Sequence, residues 1–252
     1  MSTVTGLLTA NAARWKKAKL TRASEFGPVA KRLVAAKSRY QAVAAKTGVP
    51  WFVIAVIHQR ESSQNFSRSL AQGDPWNQVS THVPKGRGPF KSWEDAAIDA
   101  LVNCAPYASR WRDWSPGGTM TLLEQYNGLG YASKGLPSPY VWSGTDQYVK
   151  GKYIADGVFS ATAVDKQLGC AGLIMAMAVL DPSISFSGNV PVLTDAPIPQ
   201  TKPPASKSDK AVVVASATAA GAATAQYGLW IGVGVAALLI VSAFLYFKFI
   251  RK

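Results

Sequence analysis

The chain has 252 residues, 48% of them hydrophobic and 16% charged, a balance that excludes an intrinsically disordered protein and allows a domain with its own core. Its formal net charge of +13 calls for an anionic partner or surface. No helix-turn-helix, zinc-finger or RNA-recognition pattern is present, so no nucleic acid is expected, which leaves anionic lipid headgroups and the acidic polymers of a cell envelope.

Residues 1–28 read as a basic N-terminal arm, densest at Lys16, Lys17, Lys19 and Arg22. These cations follow the weakly apolar start instead of preceding it, so no secretory signal is expected. Residues 29–185 carry the signals of a mainly α domain of α+β type. Leu33, Val34, Tyr40, Val43 and Ala44 recur at helical spacing and predict one helix over 30–46. Pro50 opens the next helix, a favoured first-turn position. Residues 51–57 are apolar on every side and predict the central buried helix. Over 63–90 the sequence changes to Gly, Pro, Asn, Asp and short polar runs, which predicts a loop or a small β-hairpin lobe. Ser92 with Asp95 resembles a capping box and starts a helix that stops at Pro106. Thr121 with Glu124 repeats that signal, and Asn127-Gly128 ends the segment. Ser160 opens a last helix over 161–180, terminated by Asp181-Pro182. Cys104 and Cys170 lie outside any CxxC motif and predict buried free thiols, with a single disulfide left open.

Beyond the domain, residues 186–227 read as a Pro/Ala-rich linker, extended where Pro, Lys and Ser dominate over 191–210. No residue from 211 to 247 is charged, and 228–247 predict one transmembrane helix. Such a helix spans roughly 30 Å. Trp230 and Tyr246 stand near its ends, where interfacial aromatics belong. A basic tail over 248–252 follows. The lipid bilayer is therefore an expected partner through 228–247, and the expected localisation is a single-pass membrane protein.

The chemistry centres on Glu61, where the buried helix gives way to the polar stretch. A helix C-terminus carries partial negative charge, and apolar neighbours disfavour ionisation, so both raise the pKa toward that of a general acid. A structural pairing with Arg60 or Arg68 is the alternative. Asp74, in Gly73-Asp74-Pro75, is the nearest downstream carboxylate. It reads either as the second carboxylate of a glycosidase or as a turn residue. His58 and His82 have no third ligand in pattern, so no metal or other cofactor is expected, and His58 reads as a core histidine.

Residues 57–62, Ile-His-Gln-Arg-Glu-Ser, resemble the Glu-Ser element of the lysozyme-like superfamily, which includes lytic transglycosylases, goose-type lysozymes and phage endolysins. Gln125-Tyr126-Asn127-Gly128 is similar to the Tyr-Asn element of lytic transglycosylases. Further likeness in Gly73-Asp74-Pro75-Trp76-Asn77, Gly88-Pro89-Phe90, residues 137–145, Gly151-Lys152-Tyr153 and Asp156-Gly157 points to uncharacterised lysozyme-family proteins of proteobacteria and their phages. The Gly-Leu-Met-Gln stretch that follows the glutamate in many transglycosylases is absent here.

The resemblance implies a lysozyme-like fold with a small β-hairpin lobe and cleavage of the β-1,4 bond between N-acetylmuramic acid and N-acetylglucosamine. Glu61 would be the catalytic acid, with Asp74 as base or charge stabiliser. Ser62, Tyr126, Asn127, Tyr140 and Trp142 would bind the glycan strands of peptidoglycan. Hydrolysis and anhydro-product formation both stay open. So do a non-catalytic glycan-binding protein on the same fold and a chitinase-like enzyme. The basic tail over 248–252 places the catalytic domain in the periplasm by the positive-inside rule. A cytoplasmic endolysin awaiting lysis, or a virion membrane protein, are the alternatives.

Overall fold

The computed structural model describes residues 3–187 apart from Gln72. These residues form eight α-helices and one two-stranded antiparallel sheet. Among them no single helix is long and apolar enough to cross a membrane. The expected transmembrane segment, most of the linker and the basic tail lie outside the described residues.

Helix α4 (Trp51–Ser62) is the axis of the domain. Every residue from Trp51 to His58 is buried, as an all-round apolar sequence requires. Pro50 stands just before it as N-cap, and Ser63 and Gln64 stop it in the left-handed region at φ 54° and 63°. Helices α2, α3, α6 and α8 pack around it.

One helix was expected over 30–46, but there are two: α2 (Ala23–Ala35) and α3 (Lys37–Thr47). The buried stripe Phe26, Ala30, Leu33, Tyr40, Val43 is continuous in sequence, which hides the break at Ala36. The break lets α2 pack on α8 (Cys170–Leu180) while α3 packs on α4 and α5 (Trp93–Asn103). Gly172 of α8 has no Cβ because the Phe26 ring occupies that space. Helix α5 begins as expected, with the Ser92 hydroxyl accepting from the Asp95 N–H at 3.1 Å. Cys104 and Cys170 are buried free thiols.

Residues 3–17, read as part of a basic arm, form helix α1 (Thr3–Lys17) and pack on α6 (Pro116–Asn127). Contact is close because Gly117 faces α1, where a Cβ would come within 2.9 Å of the Ala12 Cβ. Helix α6 starts at Ser115-Pro116, with the Ser115 hydroxyl capping Gly118 N–H at 3.1 Å. Thr121 and Glu124 are therefore not a cap. Both are buried inside α6 and face Asn11 of α1, whose side-chain amide lies 3.3 Å from Thr121 Oγ1 and 3.4 Å from Glu124 Oε2. The end of α6 at Asn127, before Gly128, is as expected.

The described residues of 63–90 contain turns and no strand; the ladder contact among them is an isolated bridge between Arg68 and Pro75. The β-hairpin lies elsewhere, as β1 (Lys152–Ala155) and β2 (Val158–Ser160), closed by Asp156-Gly157 with Gly157 at φ 72°. Asp-Gly at this position favours a tight hairpin turn. The last helix consequently starts at Cys170, not near Ser160, and ends at Leu180 before Asp181-Pro182 as expected. Helix α7 (Pro139–Trp142) is a single turn wedged against α6 and α8.

Burial pushes the Glu124 carboxyl up to about 7. A carboxyl whose folded pKa lies above its unfolded value stabilises least when ionised. The fold is thus favoured below the unfolded pKa, and that advantage is lost as pH rises toward 7. Glu124→Gln mimics the protonated form. It should leave stability near pH 4 unchanged and raise it at pH 8 by up to roughly 3 kcal/mol. Thermal melts of the two chains at both pH values read this directly. A variant less stable at pH 8 would contradict it.

Candidate active site

Glu61 sits in the last turn of α4, one residue before the helix ends. Its Oε1 accepts a hydrogen bond of 2.8 Å from the Tyr140 hydroxyl, delivered by the single turn of α7. Burial is the largest influence on the carboxyl and pushes its pKa up to about 7. The Tyr140 hydrogen bond and the Arg60 charge oppose that rise without cancelling it. The helix terminus adds to it. Neither arginine considered as a structural partner is used on Glu61: Arg60 pairs with Asp165 at 3.0 Å, and Arg68 donates to the Gly73 carbonyl at 2.8 Å.

Glu61 opens onto a depression of ≈410 Å³ shared with Tyr126, Tyr107, Val83, Pro84 and Cys104. The Tyr126 hydroxyl donates to the Leu70 carbonyl at 3.2 Å, which fixes the ring at the edge of this space. Burial and the nearby Glu61 charge hold the phenols of Tyr126 and Tyr140 well above their usual pKa, so both stay protonated donors. Tyr107 was missed in the sequence. It follows Pro106 in the loop after α5 and adopts the left-handed backbone at φ 58°, an unfavourable conformation for a bulky residue and one that a bare Pro-Tyr pair does not announce.

Asp74 behaves as a turn residue. Its Oδ2 accepts from the backbone N–H groups of Thr81 and His82 at 2.8 and 3.0 Å, and its Oδ1 contacts the His82 Nδ1 at 2.6 Å. These hydrogen bonds pull its pKa down to about 2. A carboxylate held so low is a weak proton acceptor near neutrality. It also does not line the Glu61 depression. The reading as a second catalytic carboxylate therefore gives way to that of a loop clasp. Asp74→Asn should cost thermal stability, and any turnover that depends on Glu61 should fall less than about tenfold, since Asp74 does not line the Glu61 depression. A loss of turnover as deep as that of a Glu61 variant, in a chain that still melts normally, would reverse this assignment.

Two other residues expected to bind substrate do not line the Glu61 depression. Trp142 is fully buried, with its indole N–H donating to Asn11 Oδ1 at 3.3 Å, so it belongs to the α1–α6–α7 core. Two residues apart on a helical turn, Tyr140 and Trp142 point to different sides. The Ser62 hydroxyl donates to the His58 carbonyl of its own helix at 3.2 Å and lines neither depression. Asn127 is exposed and lines a second depression, together with Tyr140.

His58 is a core histidine. It is buried, lies 3.0 Å from the Tyr40 hydroxyl, and packs against Phe66 and Trp93. Burial lowers its pKa to about 4, so it is neutral at physiological pH. Among the described residues no three His, Cys, Asp or Glu side chains come together as a metal site.

No protein-family model, curated protein or solved structure matches this chain.

Proposed function

We propose that this protein is a glycosidase that cleaves the β-1,4 bond between N-acetylmuramic acid and N-acetylglucosamine in peptidoglycan, with Glu61 as general acid. One observation carries the reading: a carboxyl with its pKa near 7 faces an open depression edged by tyrosines and is held there by the Tyr140 hydroxyl. Sugar C–H faces stack on aromatic rings, which suits Tyr107 and Tyr126 to flank a glycan.

In this mechanism the protonated Glu61 donates to the glycosidic oxygen as the bond to the muramic C1 breaks through an oxocarbenium-like transition state. The carboxylate left behind keeps its hydrogen bond from Tyr140. With Asp74 withdrawn into its loop, no second carboxylate among the described residues lines the Glu61 depression to activate water. Glu61 itself then takes the proton of the muramic acid 6-hydroxyl as that oxygen attacks C1, which closes an anhydro ring. The reading thus favours the transglycosylase product over the hydrolytic one. The high positive charge suits an acidic wall better than neutral chitin.

The same proposal includes a single membrane span at 228–247 that tethers the domain on the periplasmic side. Protease added to intact spheroplasts should digest the domain. Protection until lysis would favour the cytoplasmic alternative. The chemistry is tested by muropeptide release and by the Glu61 variant described in the Discussion.

A further inference from the structure

On the other side of Tyr140 lies the second depression, of ≈320 Å³, and its lining is polar and charged: Arg60, Lys152, Asp156, Asp165, Gln167 and Asn127 all contribute. Arg60 has only 6% of its side chain exposed. Its guanidinium contacts Asp165 Oδ2 at 3.0 Å and the Leu168 carbonyl at 3.3 Å. Lys152 reaches the other Asp165 oxygen at 3.3 Å. Two cations therefore share one carboxylate, and the cluster keeps one surplus positive charge. The Arg60 Nε–H is buried and has no hydrogen-bond partner. That atom is out of a ligand's reach, so an anion in the depression would meet the surplus charge of the Arg60–Lys152 cluster instead. Asp156, exposed at the hairpin turn, pairs with no cation among the described residues. The depression so offers cationic donors at its base and a free carboxylate at its rim.

We infer that this depression is a subsite for the peptide stem of peptidoglycan, with a stem carboxylate taken by Arg60 and Lys152 and an amino group by Asp156. The inference rests on the muramidase reading above. The stem hangs from the muramic acid, the sugar whose bond would meet Glu61. Tyr140 joins the two places: it lines this depression, its hydroxyl holds Glu61, and the Arg60 guanidinium sits 4.7 Å from its ring centre. The subsite makes the enzyme select strands that still carry peptides.

The test compares the full-length chain on peptide-bearing glycan strands and on the same strands stripped by an amidase. Peptide-bearing strands should be cleaved with kcat/KM at least about tenfold higher, the worth of one charge-assisted hydrogen bond. Lys152→Gln, and separately Asp156→Asn at the exposed rim, should bring that ratio toward one through KM. Equal cleavage of both substrates, or a ratio untouched by both substitutions, overturns the subsite. A free stem tetrapeptide is also titrated into the chain and followed by NMR, with shifts expected over residues 152–160. Tetrapeptide binding without cleavage of either strand keeps the subsite and removes the muramidase reading. Cleavage without tetrapeptide binding removes the subsite alone. Inorganic phosphate producing the same shifts as the tetrapeptide would show a generic anion site and also overturn it.

Discussion

Glu61→Gln should cut wall lysis to about one part in 10²–10⁴ of the wild-type rate, the usual worth of a positioned general acid. The substitution is nearly isosteric, and the glutamine carbonyl still accepts the 2.8 Å hydrogen bond from Tyr140. What it removes is the proton. Because the wild-type carboxyl ionises at the expense of burial, with its pKa pushed up to about 7, the variant should be at least as stable above neutrality. Loss of activity therefore cannot be assigned to unfolding. Residual lysis and melting temperature, measured on one preparation, check both halves. A well-folded variant that clears cell walls at the wild-type rate would remove Glu61 from the reaction.

The second large effect is on pH. The donor must be protonated, so kcat/KM should be flat below about 7 and fall roughly tenfold per pH unit above it, to about a hundredth at pH 9. Asp74, with its pKa pulled down to about 2, gives no acid limb between pH 3 and 6. Tyr140→Phe isolates the effect of the hydrogen bond on that limb. Its hydrogen bond favours the ionised form of Glu61 and so lowers that pKa. Removing it moves the alkaline limb to higher pH. It also lowers the plateau, because the carboxylate formed after proton transfer loses a donor. A limb that moves to lower pH would contradict the assigned role. A bell with an acid limb between pH 4 and 5 would point to a second carboxylate.

The parts of this molecule legible in the sequence are those set by local pattern. Helix α4 was visible because nothing polar interrupts residues 51–57, and Glu61 because it marks where that run ends. The Ser92 cap and the stops at Gly128 and Asp181 are local chemistry too. What was not legible depends on distant partners. Helix α1 hides behind its cations, since its buried face is built on Leu7 and Asn11, a pair with no strong apolar signal. Thr121 and Glu124 have the spacing of a capping box but are held by Asn11, more than a hundred residues away. The dense turn residues of 63–90 allow a loop or a small hairpin, and local pattern does not choose between them. Asp74 instead gathers that stretch into a clasped loop, while the strands form around Asp156-Gly157. Within the site, Tyr126 and Tyr140 could be nominated as aromatics but not told apart from Trp142. Only the turn of α7 decides which ring reaches the carboxylate.

The measurement that bears most directly on the central claim is mass spectrometry of the muropeptides released when the full-length chain digests purified peptidoglycan. A single acid at Glu61, with Asp74 kept in its loop, predicts new chain ends carrying 1,6-anhydro-muramic acid, and none from the Glu61→Gln chain. Reducing muramic acid ends would contradict the single-carboxylate mechanism, and an intact glycan after prolonged digestion would contradict the glycosidase itself.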